Sequence, residues 1–134
     1  MAAKILITED EPNIVESLTF ILKRAGYDVA AVTDGEAAMQ QLRADPPDVM
    51  ILDLMLPKLN GFEVLKLVKG DPALAALPVL VLSAKGQAHD RRLVEEMGAE
   101  AFITKPFSNR DVIEQVGRLC AQRAGSCAQD GPAG

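Results

Sequence analysis

A chain of 134 residues, 49% hydrophobic and 25% charged, fits one domain able to bury roughly two thirds of the surface its unfolded form exposes. With 14 Lys and Arg against 19 Asp and Glu, the net charge is -5, which disfavours sequence-independent nucleic-acid binding by this chain. No apolar run approaches the ~20 residues of a membrane span and the Met-Ala-Ala-Lys start lacks the order of a signal peptide, so a cytoplasmic protein off the membrane is expected.

Lys4 to Thr8 is a short apolar, β-branched run that predicts a first strand. Glu9-Asp10-Glu11-Pro12 ends it, and Pro12 suits the first turn of a helix, where its missing N–H costs nothing. Val15, Leu18, Leu22 and Ala25 then step by three and four into one apolar stripe, and Gly26 supplies the stop. Tyr27 to Val32 alternates weakly as a second strand; Thr33 with Glu36 resembles a capping box before a helix from Ala37 to Arg43, which Asp45-Pro46-Pro47 breaks. Val49 to Asp53 is an uninterrupted apolar run closed by a carboxylate, the pattern of a strand buried on both faces of a parallel sheet.

Asn60 is the candidate N-cap of a helix carrying Phe62, Leu65 and Val68 and stopped around Gly70-Asp71-Pro72. Pro78 to Ser83 predicts the fourth strand, and a polar helix with Leu93, Val94 and Met97 ends at Gly98. Ala101 to Thr104 is a short fifth strand, Lys105-Pro106-Phe107 turns the chain, and Ser108 with Asp111 caps a last helix whose Val112, Ile113, Val116, Leu119 and Cys120 face the core. The expected domain is 1–121, with 122–134 a flexible tail or the start of a linker, because small residues without apolar period dominate there. Cys120 and Cys127 have neither metal spacing nor a paired framework and read as a packed thiol and a tail thiol; His89 reads as a solvent-exposed residue.

Five strands alternating with five helices argue for an α/β fold, a parallel sheet covered on both faces. In such a sheet the residues that end the strands share one rim, here Glu9, Asp10, Asp53, Ser83 and Lys105. Taken singly each has a structural explanation: charges near a helix N-terminus, a turn hydroxyl, a surface ammonium. Together they repel, since two unit charges about 4 Å apart interact by ~4 kcal/mol at an effective dielectric of ~20. Carboxylate oxygens on adjacent loops suit a hard octahedral cation such as Mg²⁺. Asp53 then has a role as a nucleophile toward phosphorus, with Lys105 and Ser83 holding phosphoryl oxygens.

Four stretches carry a resemblance: Lys4-Ile-Leu-Ile-Thr-Glu9-Asp10-Glu11, Asp53-Leu-Met-Leu-Pro57-Lys-Leu-Asn-Gly61, Val79-Leu-Val-Leu-Ser83-Ala84 and Ala101-Phe102-Ile-Thr-Lys105-Pro106-Phe107. In register over residues 4 to about 121, the sequence resembles the receiver domain of two-component response regulators. The resemblance implies a (βα)5 doubly wound, flavodoxin-like sheet of strand order 2-1-3-4-5. It also implies Asp53 as phosphoacceptor, Asp10 as a direct metal ligand, Glu9 as a ligand acting mainly through water, and the backbone carbonyl of Met55 as a further ligand. Mg²⁺ is the implied cofactor, with Mn²⁺ an alternative. Ser83 and Phe102 would be the switch pair, the hydroxyl moving to the phosphoryl group as the ring turns inward, and a cis Lys105–Pro106 bond would hold the ammonium on target. Glu9 stands where Asp is more frequent in the family, Ser83 where Thr is, and Phe102 where Tyr is. Met55 and Lys85 resemble positions that tune dephosphorylation.

The implied activity is that of a phosphorylation-driven signalling switch with slow self-dephosphorylation at most, not a dedicated enzyme. Its donor would be a histidine kinase or histidine phosphotransfer protein docking beside the first helix, where Ile14 is either an exposed contact or core. Its output would be a downstream protein or a second copy, through the fourth helix, fifth strand and fifth helix. Three other readings compete. A haloacid-dehalogenase-type phosphatase wants an acid two residues past the nucleophile, where Met55 stands. A flavodoxin-like nucleotide binder wants a small neutral loop where Glu9-Asp10-Glu11 stands. A pseudo-receiver acting by contact alone would not need all five rim residues.

Overall fold

In the computed structural model, residues 3–56, 60–84, 88–105 and 107–123 are described. Among them five strands, β1 (Lys4–Thr8), β2 (Asp28–Val32), β3 (Val49–Asp53), β4 (Val79–Ala84) and β5 (Ala101–Lys105), alternate with five helices. The helices are α1 (Pro12–Arg24), α2 (Gly35–Ala44), α3 (Gly61–Gly70), α4 (Ala88–Glu96) and α5 (Asn109–Arg123). All four strand pairings are parallel and the order is β2-β1-β3-β4-β5, the doubly wound arrangement expected of the sequence.

Alternation along the strands divides the core in two. Leu6, Met50, Leu52, Val79 and Val81 point to the side where Ala38 and Leu42 of α2, Val64, Leu65 and Val68 of α3, and Val94 of α4 pack. Ile5, Ile7, Val49, Ile51, Leu80 and Leu82 point to the other, against Leu18 and Leu22 of α1 and Val112, Val116 and Leu119 of α5. β3 is buried along its whole length, because it lies mid-sheet with helices on both faces.

The helix ends explain where sequence and structure part. Ala25 is the C-cap of α1, just past the last turn, and is exposed, so it leaves the apolar stripe. Gly26, at φ 100°, closes a Schellman turn in which Tyr27 N–H donates to the Leu22 carbonyl and Gly26 N–H to that of Lys23. At α2 the cap is Asp34, not Thr33: its carboxylate accepts from Ala37 N–H at 2.8 Å, and the helix starts at Gly35. The cap is one residue later than expected, although the helix begins two residues before the expected Ala37, and the shift takes Glu36 off the third helical position that a capping box requires. Asn60 caps α3 as expected and is reciprocated by Glu63, a complete capping box. Ser108 caps α5 by accepting from Asp111 N–H at 3.0 Å.

On α4, Val94 is buried, whereas Leu93 is exposed and does not join the core; Met97, just past the helix, is half-buried. The Lys105–Pro106 bond, Lys85, Cys127 and the tail beyond Arg123 lie outside the described residues, and α5 itself runs to Arg123. No helix among the described residues is long and apolar enough to cross a membrane.

Candidate functional site

Strand register assembles the rim. Thr8 pairs with Leu52, so the next residues along, Glu9 and Asp53, stand side by side at the carboxyl ends of β1 and β3. Asp53 pairs with Leu82 and Ala84 with Lys105, which brings Ser83 and the ammonium to the same edge. Glu9, Asp53 and Ser83 are buried there, while Asp10 is exposed at the mouth.

Lys105 Nζ sits 3.0 Å from Glu9 Oε1 and 3.4 Å from Asp53 Oδ1, bridging the two buried carboxylates. The backbone adds two contacts: Glu11 N–H donates to Glu9 Oε2 at 3.1 Å, and Met55 N–H to Asp53 Oδ1 at 3.2 Å. One ammonium does not satisfy this cluster. Burial, and then the Asp53 carboxyl alongside, push Glu9 up to about 7 against the pull of Lys105. Burial alone would lower the Lys105 ammonium, yet Glu9 and Asp53 outweigh it and raise it above its usual range, so it stays charged.

Glu9, Asp10 and Asp53 each offer a carboxylate oxygen, and these lie within 4.8 Å of one another. Glu9 Oε1 is buried and, although ion-paired with Lys105, makes no hydrogen bond. Three hard oxygen donors, one of them under-satisfied, facing an open mouth fit a cation of the Mg²⁺ type. Beside the mouth Asp10, Leu54, Met55, Leu56, Asn60 and Phe62 line a shallow groove of about 380 Å³, and the Met55 side chain is 74% exposed.

Gly61 holds the wall of this site close. A Cβ there would fall within 3.0 Å of the Asp53 carbonyl oxygen and the Leu54 Cα, both backbone atoms. The first residue of α3 therefore packs directly on the chain that carries Asp53, and only glycine allows it.

The structure thus brings together all five expected rim residues. Phe102 is half-buried on the α4 side of the sheet, the side that Ser83 also faces by alternation from Val81. Ile14 is half-buried against the α1/α5 side of the core, so packing takes it. The exposed aromatic on α1 is instead Phe20, 61% exposed, with the Arg24 guanidinium 5.7 Å from its ring centroid. Sequence reasoning passed over Phe20, though its place two residues from both Leu18 and Leu22 already sets it on the far side of the helix.

A family model described as "Response regulator receiver domain" matches residues 5–117. Over 116 residues the chain is 43% identical to the alkaline phosphatase synthesis transcriptional regulatory protein PhoP of Bacillus subtilis, covering 87% of this chain and 48% of that protein. The chain thus spans about half the length of that relative. The signal receiver domain of a signal transduction histidine kinase from Syntrophus aciditrophicus superposes with a TM-score of 0.84 at 35% identity, covering 90% of this chain and 92% of that one. The receiver domain of a Francisella response regulator gives a TM-score of 0.84 at 27% identity, with 90% and 98% covered.

Proposed function

The chain belongs to the response regulator receiver domain family, the signalling switch of two-component systems, and on that premise we propose that Asp53 is its phosphoacceptor. The observation that carries this is the convergence of Glu9, Asp10 and Asp53 within 4.8 Å under the Lys105 ammonium. A carboxylate oxygen of Asp53 attacks the phosphorus of a phosphohistidine; the P–O bond forms, the P–N bond breaks, and the imidazole nitrogen leaves with the electron pair. Lys105, already 3.4 Å from Asp53 Oδ1, steadies charge on the phosphoryl oxygens, and Ser83 supplies a hydroxyl from β4.

Glu9, Asp10, Asp53 and the backbone carbonyl of Met55 would hold Mg²⁺, with Mn²⁺ as a substitute. The ion supplies positive charge where the phosphoryl oxygens gather. Phosphorylation replaces the single carboxylate charge of Asp53 by a phosphoryl group of roughly -1.5 to -2, and the response is a shift of Ser83 toward the new group with Phe102 turning inward behind it. Met55 and Lys85 govern water's access in this proposal, and hydrolysis of the acyl phosphate is slow.

The donor is a histidine kinase or phosphotransfer protein that docks over α1, where Phe20 is the exposed apolar contact in place of Ile14. The receiver acts in the cytoplasm, through a downstream protein or a second copy at α4, β5 and α5. Acetyl phosphate with Mg²⁺, followed by intact mass measurement, tests the assignment. The wild-type chain is expected to gain one phosphoryl mass and Asp53→Asn none; an unlabelled wild type beside a labelled control receiver overturns it.

A further inference from the structure

Phe102 stands on β5 opposite Val81 of β4, and Ser83 stands two residues beyond Val81, so ring and hydroxyl share the face of the sheet that α4 covers. The ring packs against that core without being sealed in it. What lies over it is Arg91, one turn before the buried Val94 of α4, with its guanidinium carbon 5.7 Å from the ring centroid. Glu95, four residues on, pairs with the Nε edge of Arg91 at 3.3 Å and tethers the guanidinium over the ring. A cation this close to an aromatic face is drawn by the ring's quadrupole, and arginine is the usual partner.

We propose that Arg91 is a positioning residue of the switch: it holds the Phe102 ring beside α4 and thereby biases the domain against the inward ring. This rests on the assignment of Ser83 and Phe102 as the switch pair. Turning the ring inward removes it from the guanidinium, so the contact favours one state only, and only such differential contacts shift a two-state equilibrium. A cation–π contact at an exposed site corresponds to a population factor of about two to five. A ligand that requires the inward ring therefore binds more weakly by that factor while Arg91 is present.

The test is the dissociation constant of beryllofluoride, a phosphoryl mimic, measured on the full chain with Mg²⁺. Arg91→Ala is expected to bind about two- to five-fold more tightly than wild type, and Arg91→Lys, which keeps a cation, to lie between the two. In a Phe102→Leu background, Arg91→Ala is expected to change nothing, because the ring it acts on is gone. The Phe102 ring proton shifts of unliganded Arg91→Ala are expected to move toward those of the mimic-bound wild type. Equal or weaker binding by Arg91→Ala, or a gain that persists without the ring, overturns the role of Arg91 alone. Failure of the wild type to bind the mimic overturns the receiver assignment of the site and this inference with it.

Discussion

Replacing Lys69 by methionine tests how the far end of the sheet is held. Lys69, next to the last residue of α3, reaches over the loop before β4 and gives its ammonium protons to the Ala75 and Leu77 carbonyls at 3.2 and 2.8 Å and to both Glu100 carboxylate oxygens at 3.1 and 2.9 Å. Glu100 in turn accepts from Val79 N–H at 2.9 Å and donates its own N–H to the Val79 carbonyl, adding a rung where β4 and β5 begin. The Lys69 side chain is 13% exposed and that of Glu100 32%. Breaking a fully buried pair costs ~3–5 kcal/mol, and an exposed pair contributes ~0–1. Water reaches the Glu100 carboxylate, so the expected loss for Lys69→Met is about 2–3 kcal/mol. For a domain of this size that is a fall in Tm of roughly 7–11 °C. Urea melts followed by circular dichroism measure it, with an unchanged m-value confirming that stability and not compactness changed. Glu100→Gln is expected to cost less, since its amide oxygen still serves Val79, and the double variant less than the sum of the singles. Strict additivity, or a loss for Lys69→Met below about 0.5 kcal/mol, would refute the network as a structural clasp.

Gly61→Ala is expected to cost about 1–3 kcal/mol, because its Cβ meets backbone atoms of Asp53 and Leu54 that cannot rotate aside, and to slow labelling of Asp53 by acetyl phosphate. Gly70→Ala, with nothing within 4 Å of its added methyl, is the control and should stay near wild type in the same melts. The pH dependence follows from Glu9, whose carboxyl rises from 4.5 to about 7 on folding. The metal-free folded chain then binds a proton that the unfolded chain has lost, so this contribution is complete below about 4.5 and disappears as pH rises through about 7. Denaturation curves between those limits should show stability falling with pH without Mg²⁺, and the fall diminished or reversed with it, because a cation requires the ionised carboxylate. A Glu9→Gln variant that keeps the full metal-free slope would show that another group titrates.

The sequence exposed the rim more readily than the clasp at the opposite end, for a physical reason. In a parallel sheet a residue that ends a strand lands on the shared edge whatever the fine register, so Glu9, Asp53, Ser83 and Lys105 could be grouped from element order alone. β1 and β3 were legible to the residue because apolar runs end in charge at both. Lys69 and Glu100 are separated by 31 positions and obey no local period, so nothing short of the folded chain pairs them. The same holds for Arg91 and Phe102, which sit on different elements. Thr33 and Asp34 are both good capping residues in succession, and the choice fell to the backbone at the start of α2.

The charges at the rim also explain why the domain tolerates an arrangement that works against its own stability. Three carboxylates, Glu9, Asp10 and Asp53, meet one ammonium, Lys105, which leaves a formal charge of -2 if all are ionised. Free of metal, the cluster relieves part of that charge by holding a proton on Glu9, which is what its rise to about 7 expresses. A divalent cation relieves all of it and needs no proton, so proton and cation compete for the same deficit. The phosphorylation proposed for Asp53 would return negative charge to this rim, within reach of Lys105, which now rests 3.0 Å from Glu9 Oε1 and 3.4 Å from Asp53 Oδ1. A better neutralised rim would fold more firmly and would have less reason to rearrange on phosphorylation.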